Sequence, residues 1–424
     1  MLRQLNHTIY AKSFLDSATP VNKSPQFPKS LKPHLFFTRM EQSYSTHQFP
    51  HLVLIGGGHS HAIALNLWIA KPLPYVKITL ISDVQQTPYS GMLPGHVAGF
   101  YSYEETHIDL LNLCQRVGAD LIIDRAIALN LAHNQVICQN HQPISFDYLS
   151  IDIGSTPNRM TVPGASDHAI PAKPVPQFLD AWENLLEKAK DKPQSAIKLI
   201  IVGGGAGGVE LALNMRSRLL GEMGKNYADK LQISLIHRGD KLLSGHNPWV
   251  SQHLQKILVK AEVRLHLKTQ VTEVTSSHVI CDHDENIDYD YLFWVTQASA
   301  PQWIKQSQLA TDSQGFILVK DSLCSISHPH VFATGDIATM QNHTRPKAGV
   351  FAVRQGPPLF KNWQNLITGQ ALISYAPQKR YLALIGTGDK KAIASWGFWG
   401  WQSSWLWLGK DYIDRKFMNL FQNK

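Results

Sequence analysis

Cysteine is scarce: the chain has 4 in 424 residues. Cys114, Cys138, Cys281 and Cys324 include no close pair, which argues against a disulfide-stapled secreted scaffold, a zinc site and a redox dithiol. A reducing, intracellular setting is the expectation. No apolar h-region opens the chain, so no secretory signal is expected. Charged residues make up only 17% against 44% hydrophobic, a balance foreign to disordered chains and to polytopic membrane proteins. Acidic residues are sparse at both ends. Residues 1–46 carry +4 and residues 341–424 carry +9, leaving −5 between them. A uniformly basic nucleic-acid binder is thereby excluded. An acidic core with a basic, aromatic end suits an enzyme that touches an anionic surface.

At roughly 100–200 residues per domain the length predicts two to three domains. Residues 1–46 show no sustained periodicity. Arg3, Lys12, Lys23, Lys29, Lys32 and Arg39 have the charge of a transit peptide, but Pro20, Pro25, Pro28 and Pro33 break the helix one needs. A disordered tail, or a start at Met40, is the expectation. From His51 onward a regular grammar sets in. His51–Ile55 reads as a buried strand entering Gly56-Gly-Gly58, a helix follows over about 60–70, and Lys77–Asp83 is a second strand ending on an acid. The pattern returns at Ile197–Val202, Gly203-Gly-Gly205-Ala-Gly-Gly208, a helix through Met215, and the strand Leu231–Ile236. Two such units predict an α/β protein with two nucleotide-binding parallel-sheet domains, joined by a helix within 173–192.

The second glycine cluster is complete. Gly203 allows the turn, Gly205 lets backbone approach a pyrophosphate, and Gly208 lets helix and strand pack closely. The first cluster has Gly56 and Gly58 but His61 at the third position, which leaves the phosphate turn intact while preventing the tightest packing. Asp83 stands where an acid bonds ribose hydroxyls. His59 and His61 suit contacts to backbone or phosphate oxygen rather than acid–base work. Farther on, Val331-Phe-Ala-Thr-Gly335-Asp336 delivers a carboxylate into a turn, able to reach a polyol hydroxyl.

These residues resemble the pyridine nucleotide–disulfide oxidoreductase superfamily over about 50–420. The resemblance implies FAD on the first glycine turn, NAD(P)H on the second, and Asp336 at the flavin ribityl. The hinge segments Tyr148–Pro157 and Trp294–Pro301 belong to it, although family members usually have Ala-Thr-Gly where this chain has Asp152-Ile-Gly154 and Val295-Thr-Gln297. Four further blocks are similar to one subfamily: Gly56–His61, Pro88–Gly95 (with Pro94), Arg345–Pro357 and Lys410–Met418. That subfamily is the flavoprotein module found ahead of selenide, water dikinase, with stand-alone relatives near type II NADH dehydrogenases. It implies FAD binding at Gly56, Gly58, His59, Asp83, Pro94, Gly154, Gly335, Asp336 and Gly349. Nicotinamide binding falls to Gly203, Gly205, Gly208 and Arg238. The implied divisions are an extension 1–46, an FAD domain at 47–165 and 298–345, an NAD(P)H domain at 166–297, and a C-terminal interface domain at 346–424.

Disulfide reductases of the superfamily carry a cysteine pair in the helix after the first turn. That helix has none here, so thiol relay is disfavoured and electrons should leave the flavin directly. At the end of the second unit's strand, His237 and Arg238 stand where an acid would select NADH. They favour NADPH, with Asp240 leaving NADH open. By resemblance, Lys347–Gln355 begins a helix beneath the flavin ring. Gln355 and Phe351 then face a flat, quinone-like acceptor, Lys347 at the start of the segment is a further catalytic candidate, and Glu210 lies near the nicotinamide.

Residues 392–409 contain no charge and 5 of the 11 tryptophans, flanked by Lys390, Lys391, Lys410, Arg415 and Lys416. Three glycines, three serines and a glutamine disfavour a membrane span. A surface anchor over 392–416 and a strand pair packed on the protein or into a homodimer both remain open. The reading is an FAD-dependent NAD(P)H dehydrogenase with a quinone-like acceptor, cytoplasmic or peripheral on the inner face of a membrane. The alternatives are a flavin reductase acting on selenium or sulfur species and a nucleotide-switched flavoprotein with slow turnover.

Overall fold

The computed structural model describes residues 49–157, 162–282, 285–296 and 298–422; the expectations for 1–46 and the side chain of Gln297 lie outside this set. In chain order, β1 (His51–Ile55) leads into α1 (His59–Ala70), then β2 (Lys77–Ser82), β3 (Asp120–Ile123) and β4 (Tyr148–Ile151). The connecting helix is α2 (Val175–Asp191). The second unit runs β5 (Ile197–Val202), α3 (Ala206–Met223), β6 (Leu231–His237), α4 (Pro248–Lys260), β7 (Val263–Leu267) and β8 (Tyr291–Trp294). The chain returns through β9 (Val331–Ala333) and α5 (Gly349–Ile367). It ends on β10 (Ala383–Gly386), β11 (Ala392–Trp396), β12 (Trp399–Ser403) and α6 (Ser404–Met418).

Two five-stranded sheets result. The first has order β9-β4-β1-β2-β3, every pairing parallel. The second has the two-residue strand Ile170–Pro171, then β8-β5-β6-β7, again parallel. Parallel sheets are covered on both faces, which is why β1 and β5 read as unbroken apolar runs. In each sheet the strand that enters the glycine turn lies between its successor and a strand from much later in the sequence. Such a reversal of strand order opens a crevice at the carboxyl ends of the strands, where ligands bind.

Helix α1 is apolar nearly all round, so it must be covered on more than one side. Helix α5 takes one face and the short helix Leu110–Val117 another. Helices α1 and α5 meet where Gly356 opposes Ile63; a Cβ on Gly356 would lie 2.6 Å from both Cβ and Cγ2 of Ile63. Pro357 and Pro358 follow immediately and remove two backbone donors from α5. The C-terminal strands form an antiparallel sheet, β10-β11-β12, with α6 against it. The segment 392–409 is therefore a strand pair running into a helix. No described helix is long and apolar enough to cross a membrane.

Gly356→Ala should cost about 1–3 kcal/mol by overpacking the α1–α5 contact. Gly221→Ala, on α3 where a Cβ meets nothing, should be neutral or stabilise by up to about 1 kcal/mol. Thermal unfolding of the two variants should shift in opposite directions or, for Gly221→Ala, not at all.

Candidate functional site

A cavity of about 620 Å³ opens at the carboxyl ends of β1, β2 and β4. Its floor is the turn Gly56–Gly58. Asp83 and Arg125 line one end, joined by an ion pair of 3.5 Å. Lys173, Asp336, Lys347 and Gly349 line the other. Glycine is required at the floor: Gly56 has φ +88°, and a Cβ there would stand 2.5 Å from the Asp152 carbonyl oxygen. A Cβ on Gly58 would run into the Asp152 carboxyl group.

His61, at the position of the missing third glycine, is fully buried and uses both ring nitrogens. One bonds the Gly56 carbonyl at 2.7 Å and the other the Ser150 hydroxyl at 2.8 Å. It thus staples the glycine turn to β4, and burial lowers its pKa to about 4. His59 lines the cavity beside Tyr89 and Phe417, its pKa also lowered by burial to about 4. Both are neutral near pH 7, in keeping with packing and hydrogen bonding.

Asp336 sits in a 3₁₀ turn after β9. Lys173 donates to it at 3.1 Å and the Ser155 hydroxyl at 3.2 Å. Burial pushes this carboxyl up, but Lys173 and Ser155 more than offset that, so its pKa falls below the ordinary value. The preceding Gly335 has φ +67° and donates its N–H to Gln355 Oε1 at 2.7 Å. Gln355 is buried, and that side-chain oxygen is committed to holding the Gly335–Asp336 turn. Lys347 donates to the Ala338 carbonyl at 2.6 Å and Thr339 Oγ1 at 3.0 Å. Burial lowers its pKa to about 8, against the pull of Asp336 and Asp312. Gly349 begins α5, a 19-residue helix whose amino end faces the cavity.

In the second unit, Gly203 has φ +131°. A Cβ on Gly208 would strike the Gly203 carbonyl, while Gly205 has open space. The imidazole of His237 accepts from the Gly204 N–H at 3.3 Å, and Arg238 and Asp240 are exposed beyond it. Glu210 accepts from the Gly386 N–H of β10 at 2.7 Å. Burial pushes its pKa up to about 7, opposed by the charge of Lys410. Lys410 in turn bonds Asp414 at 2.6 Å and the Gly91 carbonyl at 2.5 Å, and Tyr89 donates to Asp414 at 3.1 Å.

The structure therefore gathers Gly56, Gly58, His59, Asp83, Gly154, Gly335, Asp336, Lys347 and Gly349 around one cavity. Gln355 stands behind its wall. Pro94 lies in the short helix Leu93–Val97 and is not among the lining residues. Glu210 and Arg238 belong to the second unit, outside this cavity. Lys173 and Asp152 received no role from the sequence. Lys173 reaches Asp336 across 163 positions, which no local pattern signals. Asp152 was visible as a departure from Ala-Thr-Gly.

A parallel-sheet pair with glycine turns at both crevices, an acid at a strand end and a carboxylate delivered by a late strand defines a two-dinucleotide-fold protein. The family model for pyridine nucleotide-disulphide oxidoreductases matches residues 50–356, and the chain belongs to that family. It is 26% identical over 342 residues to an NADH dehydrogenase-like protein, YutJ, of Bacillus subtilis, spanning 80% of this chain and 90% of that one. To the type II NADH:quinone oxidoreductase of Haemophilus influenzae it is 26% identical over 303 residues, 65% of this chain and 66% of the other. In fold it resembles NDH2 from Plasmodium falciparum, solved in complex with NADH. The TM-score is 0.76 at 16% identity, covering 88% of this chain and 97% of that one.

The family's cofactors are FAD and NAD(P)H, and the first cavity suits FAD. It is long, runs past a bare glycine turn at a helix amino end, and carries a carboxylate at each extremity, Asp83 and Asp336. Asp336→Ala should yield protein largely stripped of flavin, read as the 450-to-280 nm absorbance ratio of the purified chain. Full flavin content would remove Asp336 from cofactor binding.

Proposed function

We propose that the protein is an NAD(P)H dehydrogenase that passes two electrons through FAD to a quinone-like acceptor without a thiol relay. The observation that carries this reading is the composition of the cavity wall: no cysteine stands among its described lining residues. All four cysteines are buried elsewhere, and burial raises each thiol pKa. The similarity to quinone reductases supports the choice of acceptor.

Flavin, when bound, supplies hydride acceptance and two-electron delivery. The chain's part is position and charge. Asp336, fixed by Lys173, Ser155 and the Gln355-held turn, anchors the polyol end. The amino end of α5 and the Lys347 ammonium place positive potential along the same wall, where negative charge develops on reduction. The second glycine turn receives the nicotinamide nucleotide. His237 and Arg238 at the end of β6 favour the extra phosphate of NADPH, since an imidazole and a guanidinium replace the acid that would repel it.

The C-terminal hairpin supplies a surface for a lipid-soluble acceptor. Phe398, Trp399 and Trp405 are 85%, 83% and 81% exposed. Arg380 lies 5.7 Å from the Phe398 ring centroid and Lys390 5.9 Å from that of Trp407. Exposed indoles among cations suit the interface of an anionic bilayer.

Anaerobic NADPH should bleach the flavin absorbance rapidly, and a soluble quinone should restore it. Bleaching that quinone leaves untouched would refute the acceptor. Arg238→Ala should raise KM for NADPH about tenfold or more while leaving NADH kinetics nearly unchanged, the loss of one charge-assisted contact to phosphate. The double variant Phe398→Ser, Trp399→Ser should abolish co-sedimentation with vesicles containing phosphatidylserine without lowering activity on a water-soluble quinone. Unchanged vesicle binding, or loss of a dimer instead, would reassign the hairpin.

A further inference from the structure

The amino end of α1 is where the fold offers a diphosphate its backbone amides. In this chain those amides are already engaged. Asp152, the residue after β4, sends its carboxyl group across to α1, where Oδ2 accepts from the Ser60 N–H at 2.9 Å and the His61 N–H at 3.2 Å. The side chain is wedged between Gly58 and Gly335, where a Cβ on either glycine would strike it, and the residue is only 2% exposed. It nevertheless lines the FAD cavity. An acid thus stands at a helix end that suits an anion.

No cation among the described residues pairs with it. Lys173 is committed to Asp336 and Ser155, Lys347 to Ala338 and Thr339, and Arg125 to Asp83. Asp336, the other acid facing the group, repels it. His59 and His61 on α1 are held neutral by burial. A buried carboxylate with no cation beside it among the described residues, next to an acid and facing an incoming diphosphate, is costly in its ionised form. As a neutral acid it keeps its place at the helix end and gains a proton to donate to a phosphate oxygen.

We propose that Asp152 is a proton-coupled latch for the cofactor: FAD binds to the form with Asp152 protonated, so diphosphate binding and the uptake of one proton from solvent are a single event. The inference rests on FAD occupying this cavity and is independent of the electron acceptor. Burial, the largest cause, already raises the free carboxyl to about 7, with Asp336 adding to it and the two amides opposing. The sign follows. Below about pH 7 the proton is present before FAD arrives and affinity is flat. Above it FAD must recruit the proton, so affinity falls as pH rises, by up to about tenfold per pH unit.

The test is calorimetric. The full 424-residue chain, freed of flavin, is titrated with FAD at about pH 6 and about pH 8 in pairs of buffers of different ionisation enthalpy. At the higher pH the expected result is a net uptake approaching one proton per FAD, and near zero at the lower. Asp152→Asn, which keeps the shape and can donate, should bind FAD with an affinity far less dependent on pH and lose most of that uptake. Any uptake it retains belongs to Lys347, the other group near this wall that titrates in the range. Asp152→Ala serves the same comparison if the asparagine variant folds poorly. FAD binding by the native chain without proton uptake, or equal uptake in native and Asp152 variants, overturns the proposal and leaves the cofactor assignment standing.

Discussion

The first glycine turn is the constraint on which the rest of the structure depends. Three pieces of chain converge there, the end of β1, the start of α1 and the end of β4, closely enough that Gly56 and Gly58 have no room for a side chain. Gly56 lies against the Asp152 backbone and Gly58 against its carboxyl. His61 then locks the arrangement from beneath, bonded to Gly56 on one side and Ser150 on the other. A third glycine would have let helix and strand approach more closely. The buried imidazole replaces that packing with two hydrogen bonds, a workable exchange because both ring nitrogens are satisfied.

The far wall depends on the same turn indirectly. Because α1 is apolar on nearly all sides, α5 must cover it, and the Gly356–Ile63 contact fixes where α5 lies. That places Gln355 under Gly335 and the amino end of α5 beside the cavity. A packing decision thereby becomes an electrostatic one: the helix end and Asp336 meet at the wall because α1 needed a cover. The C-terminal region is tied in by charge. Asp414 is 4% exposed and the Lys410 side chain only 14%, an arrangement that survives because Tyr89, Gly91 and the field of Glu210 compensate the lost water. Glu210 begins the second unit's helix, Tyr89 and Gly91 belong to the first unit, and α6 holds both.

Much of this was legible in residue order. The strands β1 and β5 and their glycine turns followed from apolar runs ending in glycine, and the helices from their place directly after those turns. The late return of Thr-Gly-Asp marked the other end of the site. Gln355 and Glu210 were legible as positions but not as partners: one holds a turn, and the other accepts from the backbone of a strand 176 positions away. The aromatic segment 392–409 had two compatible readings because tryptophan serves a buried strand pair and a lipid interface equally. The fold makes it a strand pair and a helix with several indoles facing outward.

Sequence by itself determined the class of protein and the order of its parts, because local steric rules write them down. Only glycine makes these turns, only apolar runs make doubly covered strands, and the two signals recur at matching intervals. What the tertiary structure alone decided is which charges meet. Lys173 with Asp336, Lys410 with Asp414 and Glu210, and the Asp152 carboxyl on the end of α1 are pairings, most of them between distant segments, whose energetics depend on distance and burial. Neither quantity exists until the sheets have closed around the cavity.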